Sequence, residues 1–508
     1  TEDDIGQLHC KYLEEILQVE HNADYSNSIK RIGIIPNLYL FGVGLGFFLK
    51  EIVTNPCKVT HLVVIEPDPD IFFASLFIFE WELFFQYFSR QGHSFRILVA
   101  PNHADLLENI RNSYWKIGFF NAITGNFVIH YRSPKIYEYY EYIKTNYNYI
   151  PYGFGFFDDK IFGISHAVNS ILNHKRFVNT TPLNEEFHNL PVFIIGSGPS
   201  LDHDLDFIRR NQDKALIVAA GSAIDILYHE GIKPDFYANT ERTESIRETL
   251  GAIPDQSFFD DIFILCCDIC HPKTVSFFEK TALFAKSNEP LFHILRFFYP
   301  EINKIQGIEF INPLVGNMAV SGMLYMGFKN LFLFGLDNGK KNGTSSIHSL
   351  SSVLYKNKLD PIDNKFEYKT DLIINANFPE DGVFCETNRL YKRSIYNITE
   401  VLDKFKKTSP ALQCINCSDG AFIGKTTAIH SAQLQNEFEQ LARINKSYFK
   451  NYLRAEKTNE IHLDNESIEQ LLDSKIYNKL ADAVIDILST EISCRMDCLG
   501  GLKNVSGF

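Results

Sequence analysis

No apolar run in the 508 residues approaches the ~20 needed to cross a bilayer. The greasiest stretch, 71–85, is broken by Glu80 and Glu82, so no membrane span is expected. Positive charge is also scarce. Lys and Arg total 49 against 62 Asp and Glu, a formal net charge of −13, and such a field repels nucleic acid and anionic lipid. Glu2, Asp3 and Asp4 stand where an export signal would carry positive charge, and a cytoplasmic location is expected. Internal repeats and low-complexity tracts are missing too, which argues against a repeat array or a long disordered tail.

What remains is globular. Hydrophobic residues make up 45% of the chain and charged residues 22%, and the length suits roughly three domains of about 100–200 residues each. Ten cysteines include two CxxC pairs, Cys267/Cys270 and Cys414/Cys417, a spacing that can hold zinc. Cys266 and Cys267 close an apolar run, 262–267, that reads as a buried strand. There a free thiol behaves as a small hydrophobe, and this is the preferred reading, in keeping with a reducing compartment.

Residues 1–170 are expected to form an N-terminal Rossmann-like domain. After a helical pattern at 8–19, a short strand (38–41) runs into Gly42-Val43-Gly44-Leu45-Gly46 and a helix, and a second strand (61–65) ends at Glu66. Strand, glycine loop, helix, strand and acid in this order mark a dinucleotide- or adenosyl-binding half, and the order resembles the first motifs of class I methyltransferases. The aromatics that follow, Phe72, Phe73, Trp81, Phe84, Phe85, Tyr87 and Phe88, read as core, and the glycines read as a tight turn kept without a cofactor. Asp68-Pro69-Asp70 has the DxD spacing of a metal-diphosphate site, but its prolines favour an ordinary loop.

A tyrosine-rich helix within 131–152, a break at 153–155, a helix at 166–177 and a linker at 180–182 lead to a central domain, residues 180–430. Strands at 192–195, 215–220, 235–238, 262–267, 308–311 and 330–334 alternate with helices at 201–210, 223–230, 273–284 and 317–326. Helices between buried-looking strands imply an α/β, doubly wound and mostly parallel sheet. Beyond 430 the pattern turns helical, at 433–454 and 467–489, predicting a C-terminal helical domain, 431–508, that packs or binds a partner.

Ligands of such sheets sit beyond the carboxyl ends of the strands. The loops expected there are polar: Gly196-Ser197-Gly198-Pro199-Ser200, Gly221-Ser222, Asn239-Thr240-Glu241-Arg242, Gly316-Asn317 and Gly335-Leu336-Asp337-Asn338. Two glycines in the first let the backbone approach a ligand, and Ser200 can cap the helix whose positive end would face a phosphate.

Residues 191–201 and 215–241, Gly335-Leu336-Asp337 with His348, and Asp419-Gly420-Ala421 with Gly424 resemble the motility-associated factor (Maf) family. Its central domain is similar to a pterin pyrophosphokinase and, more distantly, to bacterial sialyltransferases. The resemblance implies a glycosyltransferase moving a nonulosonic acid, pseudaminic or legionaminic acid, from its CMP donor to Ser or Thr of flagellin, in support of motility. Gly196, Ser197, Gly198, Pro199, Ser200, Gly221 and Ser222 would then hold the phosphate. Asn239, Thr240 and Asn317 would hold the cytidine, ribose or sugar, while Glu241 and Asp337 orient hydroxyls.

His348 is the expected base for the acceptor hydroxyl, on a loop, 339–352, long enough to act as a flap. Lys340 and Lys341 read as solvated charges. No cofactor or resident metal is required, and the expected partners are flagellin and the CMP-sugar, with neither nucleic acid nor membrane. Two alternatives stay open, a pyrophosphokinase-like phosphotransferase and a non-catalytic flagellin-binding module. The first needs clustered carboxylates, and Asp202, Asp204 and Asp206 are not expected to converge with Asp337.

Overall fold

The computed structural model describes residues 34–463, except 55–57, 91, 102, 118–120, 123–124, 148–149, 151–156, 288, 342–347, 357–371 and 380–383. The helices expected at 8–19 and 467–489 and the break at 153–155 lie outside the described residues. The chain divides into two compact units, one built from residues up to Phe154 and one running from Gly155 to Leu471.

In the first unit β1 (Ile34–Phe41), α1 (Phe47–Thr54), β2 (Lys58–Glu66), α2 (Pro69–Ile78), α3 (Trp81–Phe88), β3 (Ser94–Val99), α4 (His103–Ile117), β4 (Gly125–Ile129) and α5 (Pro134–Asn146) follow one another. The strands form a parallel sheet in the order β3-β2-β1-β4, the expected Rossmann-like half. Trp81, Phe84, Tyr87 and Phe88 are buried as expected. Phe73 and Phe85 are not, at 59% and 44% exposed, and Phe77 reaches 76%. Helix α2 is apolar on every side, and a helix lying over a sheet can bury only one stripe.

The second unit begins earlier than expected. Helix α6 (Phe157–Leu172) and β5 (Arg176–Val178) precede the expected linker, and β5 already pairs with the central sheet. Next come β6 (Val192–Ile195), α7 (Leu201–Asn211), β7 (Leu216–Ala220), α8 (Ala223–His229), β8 (Phe236–Ala238), α9 (Ser245–Gly251) and β9 (Phe263–Cys267). The expected helix at 273–284 is instead one short turn, α10 (Pro272–Val275), followed by strand β10 (Lys280–Lys286). The apolar residues of 281–285 are buried on both faces between β9 and β5, a position that local helical spacing does not reveal.

Then follow α11 (Pro290–Phe298), β11 (Gly307–Ile308), α12 (Val315–Met326), β12 (Asn330–Phe334), β13 (Lys340–Lys341), α13 (Val353–Lys356), β14 (Leu372–Asn375), β15 (Phe384–Thr387), α14 (Arg389–Thr408), β16 (Gln413–Asn416) and β17 (Thr427–Ala428). The sheet order is β17-β16-β12-β6-β7-β8-β9-β10-β5-β18, with β11 beside β10 and a separate small antiparallel sheet β13-β15-β14. Here β18 is Thr458–Glu460, antiparallel to β5; the other pairings of the large sheet are parallel.

Alternation along β6 shows why a parallel sheet needs two covers. Phe193 and Ile195 join the core that includes Leu201 and Leu205 of α7 and Ile224 of α8, whereas Val192 and Ile194 join Met318 of α12 and Ile398 of α14 on the other face. Each such side chain stabilises the fold by roughly 1.5–3 kcal/mol.

The segment expected as a third domain shares this core. Helices α15 (Ser431–Gln440) and α16 (Lys446–Tyr452) send Leu434 and Phe438 to one face and Phe449 to the other. The helix expected over 433–454 is interrupted between them, and residues 431–463 lie within the central unit.

A candidate nucleotide cleft at the sheet switch point

The chain enters the interior of the large sheet at β6, moves outward through β7, β8, β9 and β10, and later returns to lay β12 on the other side of β6. Such a reversal opens a crevice at the carboxyl ends of the two central strands. A cleft of about 320 Å³ lies there.

Of the expected residues, Gly196, Ser197, Gly198, Gly221, Ser222, Asn239, Glu241, Asp337 and His348 line it, and Pro199, Ser200, Thr240 and Asn317 do not. The hydroxyls of Ser197 and Ser222 hydrogen-bond across it at 2.9 Å. Asn239 is buried, its Nδ2 donating to Cys270 Sγ at 3.1 Å and its Oδ1 accepting the Glu241 N–H at 3.3 Å, so it shapes the loop that carries Glu241.

The glycines of the first loop serve a different end from the one expected. A Cβ on Gly196 would lie 2.5 Å from the Gly335 carbonyl oxygen, and one on Gly198 would lie 1.9 Å from Asp337 Oδ2. Both make room for the loop after β12. Asp337, 4% exposed, accepts the Ser200 N–H at 3.1 Å, so the start of α7 addresses a carboxylate of the protein rather than open cleft. Burial pushes the Asp337 carboxyl up to about 6, and the neighbouring Asp419 and Asp202 push the same way.

Asn317 is likewise occupied. It is fully buried, accepts the Leu314 N–H at 3.1 Å and donates to the Ser394 carbonyl at 2.9 Å. It thereby fixes the first turn of α12, and Leu314, Val315 and Gly316 at that turn do line the cleft. The helix terminus facing the cavity is therefore that of α12. Sequence reasoning also missed Tyr237, Ile246, Thr249, Leu390, Tyr391 and Ser394. Most lie in the middle of helices, where nothing in the local pattern distinguishes them. No Lys or Arg lines the cleft among the described residues.

The carboxylates do converge. Asp202 and Asp419 act on Asp337, and Asp337 and Asp419 act on Asp204, whose carboxyl burial pushes up to about 6. Asp206 stays apart, exposed and paired with Arg209. Residues of the group are already engaged. Asp202 accepts the Ser349 hydroxyl and the Leu350 N–H (2.8 Å for the latter), and Asp419 binds Lys341 Nζ at 2.9 Å. Lys341 is therefore paired rather than solvated.

The segment carrying His348 is fastened on its C-terminal side. Ser349 N–H donates to the Ser197 carbonyl at 2.8 Å, and Asp225 of α8 accepts from Ser352 Oγ, Val353 N–H and Leu354 N–H at 3.1, 2.8 and 3.2 Å. Residues 342–347 of the expected flap lie outside the described residues.

The N-terminal glycine loop is filled by its own unit. Cβ atoms on Gly42, Gly44 and Gly46 would meet Tyr131, His130 and Phe79 at 2.5, 2.7 and 2.4 Å. Glu66, the residue placed for a ribose, accepts the Val43 N–H at 2.7 Å, the Asp68 N–H at 3.0 Å and the Tyr131 hydroxyl at 2.6 Å. Asp68 caps α2 by accepting the Asp70 N–H, the turn role preferred for the DxD. Both CxxC pairs are buried free thiols, as expected.

Residues 6–151 match the family model for the glycosyltransferase Maf N-terminal domain. Residues 168–343 match that for a 6-hydroxymethylpterin diphosphokinase MptE-like domain. No curated protein matches the chain significantly. Among solved structures, the Maf glycosyltransferase from Magnetospirillum magneticum AMB-1 has a similar fold, with a TM-score of 0.67 and 20% identity over 92% of this chain and 68% of that one. With the two domain models in sequence over more than half its length and this architecture, the chain belongs to the Maf glycosyltransferase family.

Proposed function

We propose that the chain transfers a nonulosonic acid, pseudaminic or legionaminic acid, from its CMP-activated form to Ser or Thr of flagellin, the cleft between β6 and β12 being the donor site. The observation that carries this reading is the cleft itself. It has a volume suited to a small-molecule ligand, hydroxyl-bearing loops along one wall, the start of α12 opposite, and a histidine at its rim.

CMP leaves with growing negative charge on its phosphate. The backbone N–H groups of the first turn of α12 and the hydroxyls of Ser197 and Ser222 offer preorganised donors for it. Tyr237 and Tyr391 give the flat faces a base can lie against. His348 takes the proton of the attacking hydroxyl, and Glu241 orients sugar or acceptor hydroxyls. No cofactor enters this scheme. A cytoplasmic site of action accords with a chain in which no single described helix is long and apolar enough to span a membrane.

The test is the intact mass of unglycosylated flagellin after incubation with the protein and CMP-pseudaminic or CMP-legionaminic acid, with Gly198→Trp as control. Increments of one sugar, lost in the variant, support the reading. No increment with either donor and no CMP binding overturn it.

The match to a pterin diphosphokinase-like domain and the converging carboxylates favour phosphotransfer as the second reading. ATP turnover to AMP in the presence of 6-hydroxymethylpterin would select it. Asp337 is the member of the acidic group that reaches the cleft, so a variant at that position should then abolish turnover.

A further inference from the structure

Far along the sheet from the cleft, strand β18 runs antiparallel to β5, with Glu460 paired to Arg176. Continued by two residues, that register sets position 174 across from 462, and side chains two apart on a strand share a face. His174, at the end of α6 with a φ of +51°, is not extended, yet its imidazole still reaches this face. Its Nδ1 lies 3.5 Å from Glu460 Oε2, and its ring centre lies 6.2 Å from that of His462. One potential ligand atom from each of His174, Glu460 and His462 falls within 4.8 Å of the others.

We propose that these three side chains form a site for a divalent transition metal, with Zn²⁺ the best match. Two imidazole nitrogens and one carboxylate oxygen are a borderline donor set. It suits Zn²⁺ and its neighbours and offers little to Mg²⁺ or Ca²⁺, which require mostly oxygen. Three protein ligands leave a fourth tetrahedral position for water.

Ligand atoms around such an ion stand about 3.3 Å apart, as follows from metal–ligand distances near 2.0–2.1 Å. His174 and His462 are exposed, so small side-chain rotations close the gap. Glu460 is held for the purpose. Arg176 grips its Oε1 at 3.3 Å and is itself fixed by Thr458 Oγ1 at 3.1 Å and by the carbonyls of Arg454 and Thr458 at 2.7 and 2.6 Å, which leaves Oε2 directed at the imidazoles. Supporting hydrogen bonds of this kind pre-orient metal ligands. The ion would clip the residues after β18 to the end of α6, and this is independent of the donor site.

The test is Zn²⁺ titration of the full chain after treatment with a chelator, followed by calorimetry and by the visible absorption of the Co²⁺-substituted protein. The wild type should bind one more ion per chain than the double variant His174→Ala/His462→Ala, and Glu460→Gln should weaken that ion by at least about tenfold. Zn²⁺ should raise the unfolding midpoint of the wild type and leave that of the double variant unchanged, while excess Mg²⁺ should not compete. The metal-free midpoints of wild type and variants report whether the variants fold. The same stoichiometry and affinity in folded wild type and double variant would place the metal on cysteines and overturn the site. Binding only in the millimolar range, or a Co²⁺ spectrum unaltered by the double variant, would overturn it as well.

Discussion

The loops after β1 and β6 share a grammar of strand, spaced glycines, helix and a later acid, and they arrive at opposite outcomes. After β1 the space beside each glycine is taken by Tyr131, His130 or Phe79, and the acid, Glu66, is spent on two backbone N–H groups and a tyrosine. After β6 the glycines also face the protein's own atoms, Gly335 and Asp337, but these fill the space beneath the loop and leave a cleft open beside it. Glycine spacing thus reports that something comes close to the backbone. It does not say whether that something is a ligand. What separates the two loops is the sheet order, because β6 lies beside a strand reached from the other direction, whose loop carries Asp337, while the loop after β1 is closed by the strand–helix connection that carries His130 and Tyr131.

The comparison can be broken most sharply with an added methyl group on each loop. Gly198→Ala, which drives a Cβ into a buried carboxylate, should reduce CMP affinity by more than about 100-fold, on the scale of overpacking and lost-hydrogen-bond costs combined. Gly44→Ala should leave it unchanged. Isothermal titration of both variants decides, and equal losses would erase the distinction. Replacing the rim base comes next, since His348→Ala should lower kcat by about 100-fold with little change in KM if it accepts the acceptor proton.

Smaller effects sharpen the contrast. Glu66→Gln should cost about 1–3 kcal/mol of stability in denaturant titration, from unpaired buried donors, with CMP affinity intact. A ribose-binding acid would behave the other way round.

Asp337 supplies a pH signature for the central loop. Its carboxyl is raised to about 6 in the fold, above the ~3.9 of an unfolded aspartate. The native state therefore binds this proton more tightly, and the contribution to stability is present below about pH 4 and lost as pH rises through about 6. Asp337→Asn should flatten that part of the stability profile. The smallest expected effect is none at all, with adenosylmethionine leaving the melting temperature unchanged because the loop after β1 is filled.

Much of this architecture was legible in the sequence. Short apolar runs at 192–195, 216–220, 236–238, 263–267 and 330–334 could only be buried parallel strands, and the polar residues after them line the cleft as the sheet rule requires. The strand at 280–286 was not legible, because Val275, Phe278, Ala282 and Leu283 repeat at helical spacing and only their place between β9 and β5 makes them a strand. Asn317 looked like a ligand contact because Gly-Asn is turn chemistry. Its amide is in fact used to start α12. Tyr391 and Ser394 reach the cleft from a helix some two hundred residues beyond the first loop, a distance at which no spacing rule operates.

The carboxylate of Asp337 under the Cα of Gly198 also places a constraint on descent. A mutation at 198 that adds a side chain is tolerable only where 337 has already become smaller, and an acid can return at 337 only where 198 is still glycine. The two positions, 139 residues apart, should therefore change together along any lineage that keeps this cleft, and a homologue with alanine at 198 and aspartate at 337 should have moved the loop that carries one of them.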